Sequence, residues 1–116
     1  MVNKKAEDEI LKIVTTALDD GKAEDVVVID LRGKTSIANE MVVASGNSDR
    51  QVISLAQRIQ ENLKNAGYKS VSEGETKGDW VLIDAYDVIV HIFRPEVRNF
   101  YNLEKMWNAI ANMREE

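Results

Sequence analysis

Two apolar stretches on either side of a short turn constrain the fold of this chain more than any other feature. They run from Trp80 to Asp84 and from Asp87 to Phe93, and Ala85-Tyr86 joins them. Alternating side chains are typical of strands, and two connecting residues suffice for a tight antiparallel hairpin. We therefore predict a hairpin in which Asp84 pairs with Asp87 and the rest of the register follows.

The predicted hairpin has one aliphatic face and one mixed face. The aliphatic face is expected to lie in the core, and its residues are Val81, Ile83, Val88, Val90 and Ile92. On the mixed face we expect Trp80 to lie opposite His91, and the full set is Trp80, Leu82, Asp84, Asp87, Ile89 and His91. Since aromatic, imidazole and carboxylate groups gather there, the mixed face is the better candidate for a working surface. Simpler roles remain open: a core tryptophan, a buried hydrogen-bonded histidine and two turn aspartates.

The first part of the chain is expected to form a helix and two strands. Apolar residues from Ala6 to Leu18 recur at helical spacing, and Gly21 ends that pattern. The continuous β-branched run Asp25–Leu31 predicts a strand that is covered on both faces. After a short polar connection, Met41–Ser45 predicts a second strand.

A second helix, an edge strand and a last helix complete the predicted elements. Ser48 and Gln51 form a capping-box pattern at the start of the second helix. Tyr68–Glu75 is polar and acidic, which suits an edge strand. After the hairpin, Pro95 fits the first position of a helical turn, and Leu103–Met113 has the spacing of an amphipathic helix.

The order αββαβββα predicts a fold of the α/β (α+β) class. Only Val42–Ser72 has the pattern of a βαβ crossover, and the hairpin is antiparallel. We therefore expect a mixed sheet of about five strands with helices packed on it. The 116 residues fit a single domain over residues 1–116, with no linker and no repeat.

Composition and charge indicate where the protein acts and what kind of partner it binds. The chain has no cysteine, no apolar N-terminal segment, and no apolar run near the roughly 20 residues that a membrane helix needs. We therefore expect a cytoplasmic protein that does not enter the membrane. The net charge of −5 argues for little direct contact with nucleic acid and favours a basic partner.

No set of residues suited to catalysis, metal binding or cofactor binding is found. His91 is the only histidine, and G-x-S-x-G, Walker and Rossmann patterns are absent. We therefore predict no catalytic residue, no metal site and no cofactor. One alternative is an enzyme that holds a phosphate on the glycine turn Ser45–Ser48, as nucleotidyltransferases do. Such enzymes also need two carboxylates spaced two apart on a strand, and no suitable pair follows, so a helix cap is the simpler interpretation.

Several short motifs follow one another in a fixed order along the chain. They are Asp30, Ser45-Gly46-Asn47-Ser48, Glu73-Gly74, Trp80 to Asp84, Asp87 to Phe93, Arg98-Asn99-Phe100-Tyr101, and Leu103-Glu104 followed by Trp107. Their order and spacing resemble the ribosomal silencing factor (Iojap-related) family over nearly the whole chain. The chain departs from the family pattern at Asn39-Glu40-Met41, where the family has an aspartate and two aromatic residues. It departs again at Tyr86, where the family has a glycine in the hairpin turn.

The resemblance implies a fold related to nucleotidyltransferases but without their catalytic carboxylates. It implies a protein that binds the large ribosomal subunit through a ribosomal protein on the intersubunit face. The bound factor blocks joining of the small subunit and lowers translation when nutrients are scarce, and members of the family often crystallise as homodimers. We expect the partner to be contacted by the hairpin and the segment after it: Trp80, Leu82, Asp84, Tyr86, Asp87, His91, Arg98, Tyr101 and Glu104.

Overall fold

Two helices and five strands make up the part of the chain that the computed structural model describes, namely residues 4–33, 36, 38–74 and 78–95. They are α1 (Lys4–Asp20), β1 (Glu24–Asp30), β2 (Glu40–Ser45), α2 (Asp49–Asn65), β3 (Val71–Glu73), β4 (Trp80–Ala85) and β5 (Val88–Phe93). The predicted order is confirmed from α1 to β5, and the predicted last helix, Leu103–Met113, lies outside the described residues. Neither described helix is long and apolar enough to cross a membrane.

The five strands form one mixed sheet in the order β1-β2-β5-β4-β3. β2 and β5 are parallel, and the other neighbouring strands are antiparallel. α2 connects β2 to β3, and these two strands run in the same direction with β5 and β4 between them. The predicted mixed sheet and the predicted βαβ crossover are therefore confirmed.

Both helices pack on one face of the sheet and enclose the larger core cluster. The aliphatic face of the β4–β5 hairpin lies in this cluster, as predicted. The helices contribute Ile10, Val14, Ala17, Leu18, Val52, Leu55, Ala56, Ile59 and Leu63. Burying one large aliphatic side chain contributes roughly 1.5–3 kcal/mol, so this cluster is a main source of stability.

The start of α2 is closed by its own side chains. Ser48 is the N-cap, and its Oγ accepts a hydrogen bond from the Gln51 backbone N–H at 3.1 Å. Gln51 Oε1 accepts from the Asn47 backbone N–H at 2.6 Å, one residue before the cap that a standard capping box would use. Gln51 Nε2 donates to Gly21 O at 3.1 Å, so the same side chain ties α2 to the turn after α1.

The position of β1 differs from the prediction. A continuous β-branched run is typical of a strand covered on both faces, but β1 lies at the edge of the sheet and pairs with β2. Val26, Val27 and Val28 are 40%, 44% and 45% exposed. The valines suit the extended backbone wherever a strand lies, so β-branching predicted the strand correctly and its burial wrongly. A β-bulge between Glu24 and Val27 bends the start of the strand.

The register of the hairpin also differs from the prediction. The turn is Tyr86-Asp87 rather than Ala85-Tyr86, so Trp80 lies opposite Phe93 and Leu82 lies opposite His91. Two hydrogen-bonding groups explain the shift. The Asp84 carboxylate accepts from the Tyr86 backbone N–H at 2.9 Å, and the carbonyl of Asp87 accepts from the backbone N–H groups that enter β2. A shift of two residues in the pairing keeps every side chain on its predicted face, because strands alternate with a period of two.

Candidate partner-binding site

Three rings pack together on the mixed face of the hairpin, and we refer to Trp80, His91 and Phe93 as the aromatic cluster. The ring of Trp80 stacks near both neighbours, with centroid distances of 5.7 Å to His91 and 5.9 Å to Phe93. Trp80 Nε1 donates a hydrogen bond to His91 Nδ1 at 3.0 Å. Ring stacking and this bond together fix the orientation of the indole.

His91 is fully buried and neutral. Burial lowers the pKa of its imidazole from 6.5 to about 3, because the charged form would lose its hydration. Since Nδ1 accepts the bond from Trp80, the proton of the neutral ring lies on Nε2. Nε2 has no hydrogen-bond partner among the described residues. A histidine with so low a pKa is a poor general base near neutral pH, and its hydrogen bond positions the tryptophan instead.

The mixed face is packed rather than open, which corrects the prediction that Leu82 and His91 belong to a working surface. Leu82 is only 4% exposed, and Ile89 and Phe93 are fully buried. They form a second core cluster with Leu31, Ala38, Met41 and Val43. Trp80 packs against this cluster but stays only partly buried, which confirms that it is at least partly exposed in the free protein. Leu82 and His91 therefore lie beneath the surface that Trp80 presents.

Gly74 allows the chain to pass closely over the start of β4. Its φ is +93°, and a Cβ atom there would lie 2.0 Å from the carbonyl oxygen of Trp80. Only glycine fits both conditions. Glu73 and Gly74 also line a depression of about 160 Å³ with Trp80 and Leu82. The Glu73-Gly74 pair of the sequence motif thus shapes the surroundings of Trp80.

The predicted site residues of the hairpin that are not buried fall at its two ends, while Leu82 and His91 lie between them. Trp80 begins β4, whereas Tyr86 and Asp87 form the turn after β4 ends, on the order of 17–20 Å away for a strand of this length. Tyr86 is 64% exposed and has a φ of +66°, the conformation that the glycine of the family pattern would favour. Asp84 accepts from the Tyr86 backbone and acts as a turn residue. Arg98, Tyr101 and Glu104 lie outside the described residues.

The glycine turn Ser45–Ser48 is occupied by interactions within the protein. The hydroxyl of Ser48 caps α2, and Asp49 places a carboxylate in the first turn, where the helix dipole favours negative charge. Asp49 Oδ1 is 3.1 Å from Arg94 Nε. No group of three or more potential metal-ligating side chains occurs within the described residues. These contacts favour the helix-cap interpretation of this turn over phosphate binding.

Sequence reasoning missed two residues that shape this site. Phe93 was expected only as the end of a strand, but the true register places its ring against Trp80. Gly74 carried a motif without a structural role, and its φ and its contact with Trp80 supply that role. Neither role can be read from the sequence, because both depend on which residues the hairpin and β3 bring opposite each other.

Comparisons with known proteins agree with the motif order. The chain matches the family model "Ribosomal silencing factor during starvation" over residues 3–116. It is 56% identical over 99 residues to ribosomal silencing factor RsfS of Zymomonas mobilis, covering 84% of this chain and 74% of that protein. A crystal structure of a Chromobacterium violaceum protein matches with a TM-score of 0.81 at 45% identity, covering 87% of this chain and 85% of that one. A Bacillus halodurans structure matches with a TM-score of 0.77 at 37% identity, covering 86% and 94%.

Proposed function

Because this chain belongs to the ribosomal silencing factor family, we propose that it represses translation by binding the large ribosomal subunit. The contact is made with a basic ribosomal protein on the intersubunit face, with little direct contact to nucleic acid. The bound factor blocks joining of the small subunit when nutrients are limiting. The protein acts in the cytoplasm, needs no cofactor, and can form a homodimer.

The observation that carries this proposal is the partly exposed, firmly held ring of Trp80. Binding hot spots are enriched in tryptophan, and a side chain that is already ordered loses little entropy when a partner covers it. The hydrogen bond to His91 and the stacking on Phe93 supply that order. Trp80 is therefore suited to be an anchor that docks into a pocket of the partner.

Charge supports a basic partner. The chain carries −5 overall, and the acidic side chains of Glu73, Asp79, Asp84 and Asp87 lie on or beside the β3–β4–β5 part of the sheet. Ribosomal proteins are basic, so opposite potentials would speed and orient the encounter. Binding should consequently weaken as the salt concentration rises.

A steric mechanism fits the chemistry of the site better than an enzymatic one. The pKa of His91 is too low for general-base catalysis at neutral pH, and the described residues hold no cluster suited to a catalytic metal. Obstruction of subunit joining needs only a stable body and an anchored surface. We therefore propose that the protein is not an enzyme.

Sedimentation with purified subunits tests the proposal directly. The protein should co-sediment with the large subunit and not with the small one. Order of addition sharpens the test: protein added before the small subunit should prevent joining, and protein added to joined ribosomes should act slowly or not at all. Equal binding to both subunits, binding to neither, or binding without any effect on joining would contradict the proposal.

A further inference from the structure

β1 combines an apolar surface with an open edge. Val26, Val27 and Val28 are each 40–45% exposed, although valine is among the residues most often buried. Val27 pairs with Val43 of the mixed-face cluster, and Val28 pairs with Val42 of the helix-covered cluster. Both faces of the sheet therefore end in exposed valine at this edge, and no described strand lies beyond it.

The backbone of β1 offers hydrogen-bonding groups on the same side. Leu31 N–H donates to Asn39 O at 2.9 Å, in line with the β1–β2 register. Every second residue of an antiparallel ladder makes such bonds, so those of Val27 and Ile29 point to β2. The N–H and C=O groups of Val28 consequently point to the open side. Charged side chains or bulges usually protect an edge strand from pairing with another chain. In β1 the bulge ends at Val27 and the next charged residue is Asp30, so Val28 and Ile29 lack such protection.

The two ends of β1 are negatively charged. Residues 19–32 contain five carboxylates and two basic side chains, a net charge of −3. At the second end, Arg32 is shared among the carboxylates of Glu7, Asp30 and Glu40, so negative charge remains in excess there. A second copy of β1 pairing antiparallel across a two-fold axis would place the acidic first end of one strand beside the acidic second end of the other. Such pairing is opposed by like charges.

We propose that β1 is a docking edge for an extended segment of another protein, with aliphatic residues in its centre and Lys or Arg at both ends. The segment adds to the sheet as a further strand: its backbone bonds Val28, its aliphatic side chains cover the three valines, and its cations meet the acidic ends. This surface is separate from the aromatic cluster. β1 and β4 are three strand spacings apart, on the order of 14 Å, so the inference does not rest on the proposed function.

A synthetic peptide tests the inference. The probe is the capped peptide Lys-Lys-Val-Thr-Val-Thr-Val-Lys-Lys, and its control has the same centre with Glu at both ends. In ¹⁵N-labelled full-length protein, the basic peptide should shift the amide signals of Val26–Asp30 and slow hydrogen exchange at Val28. The acidic peptide should bind at least about tenfold more weakly at low salt, and added salt should reduce the difference.

Two variants and one matched control define the edge. Val28→Pro removes the outward N–H without removing a bond to β2, and it should weaken binding of the basic peptide about tenfold or more. Val28→Lys places a cation on the edge and should also weaken binding of the basic peptide. Val71→Lys changes an exposed valine on the opposite edge strand, β3, and should leave binding unchanged.

Four results of these experiments would contradict the inference. Absence of any shift in β1, or shifts that Val28→Pro and Val28→Lys leave intact, would show that this edge does not take an added strand. Equal binding of the basic and acidic peptides would refute the charge assignment. Signals of β1 that change with protein concentration alone would assign the edge to a second copy of this chain.

Discussion

The two faces of the sheet are both packed, but with different chemistry. The buried residues of the helix-covered cluster are all aliphatic. None of these side chains changes its charge with pH or needs a hydrogen-bond partner. The mixed face contains a buried imidazole, a tryptophan bonded to it, and a nitrogen without a partner among the described residues. An unpaired buried polar atom costs stability, whereas the aliphatic face only contributes to it. The first face therefore holds the fold together, and the second holds one side chain in a defined position.

The largest expected effect is on stability and comes from the helix-covered face. Ile83 is fully buried between the sheet and the helices. Ile83→Ala should lower the free energy of unfolding by about 2–5 kcal/mol, because it removes buried methylene groups and leaves a cavity. Chemical denaturation measures this, with the exposed Val71→Ala on β3 as control. A loss no larger than that of Val71→Ala would mean that this face is not the main support of the fold.

Trp80→Ala should show the opposite division between stability and binding. Because Trp80 is only partly buried, we expect a smaller stability loss than for Ile83→Ala and a loss of about 2 kcal/mol or more in binding to the large subunit. Tyr86→Ala is the variant for comparison, since it removes the other exposed ring among the predicted contacts that the structure describes, at the opposite end of the same hairpin. Melting curves and subunit-binding titrations separate the effects. If Tyr86→Ala weakens binding and Trp80→Ala does not, the partner contacts the turn instead.

Between pH 7 and about pH 5, the pH dependence of stability should come mainly from His91 on the mixed face. The folded-state pKa of His91 is about 3 and its ordinary value is 6.5, so the unfolded chain takes up a proton first. The contribution of the neutral histidine is therefore complete above pH 6.5 and is lost as the pH falls towards 3. Between these two pH values the free energy of unfolding should fall by about 1.4 kcal/mol per pH unit, which amounts to about 2 kcal/mol lost by about pH 5.

Denaturation at pH 7 and about pH 5 checks this slope. His91 is the only histidine in the chain, and the ordinary pKa values of Asp and Glu side chains lie below about 5. The variant His91→Phe should flatten the profile between those two values. Equal slopes for the variant and the unchanged protein would show that the imidazole is not buried in its neutral form.

The smallest expected effect concerns the turn that joins the two strands. Tyr86 adopts a φ of +66°, which costs a residue with a side chain about 1–2 kcal/mol. Tyr86→Gly removes that cost but adds freedom to the unfolded chain, so we expect a net stabilisation of about 0.5–1 kcal/mol. Thermal unfolding measures it, and Tyr86→Ala, which keeps the strained backbone, is the control. A glycine variant less stable than the alanine variant would contradict the assignment of strain.

Local sequence patterns predicted the helices and strands well. The strand register and the position of each strand in the sheet depend on contacts between distant residues, which those patterns do not show. The cap at Ser48 and the alternation of β4 and β5 depend on residues close in sequence, and both were predicted correctly. The hairpin register was predicted wrongly, because the carbonyl of Asp87 bonds to the distant start of β2 and the Asp84 carboxylate bonds to the Tyr86 backbone within the turn. The exposure of β1 was predicted wrongly as well, since β-branching does not reveal which strand lacks a second neighbour.

The candidate site was predictable only in part. Trp80 was chosen because alternation separates it from the aliphatic face, and its partial exposure agrees with that reasoning. The burial of Leu82 and His91 could not be predicted, because the residues that cover them come from elsewhere in the chain. Leu31 was expected only as the end of a strand, and Ala38 lies in a connection without a periodic pattern. Motif order identified the family correctly, while the structural reasons for the motifs, such as the fit of Gly74 over Trp80, required the fold.

The strand order has a consequence for the synthesis of the chain. β5 lies at the centre of the sheet but is the last of the described strands to be made, and β2 and β3 cannot be joined into one sheet until β4 and β5 are placed between them. A nascent chain that ends before Trp80 holds only the β1–β2 pair and an unattached β3, and one that ends before Val88 holds two separate strand pairs, β1–β2 and β3–β4. Contacts this distant in sequence close late, so the domain should fold as a unit only after its hairpin has left the ribosomal exit tunnel.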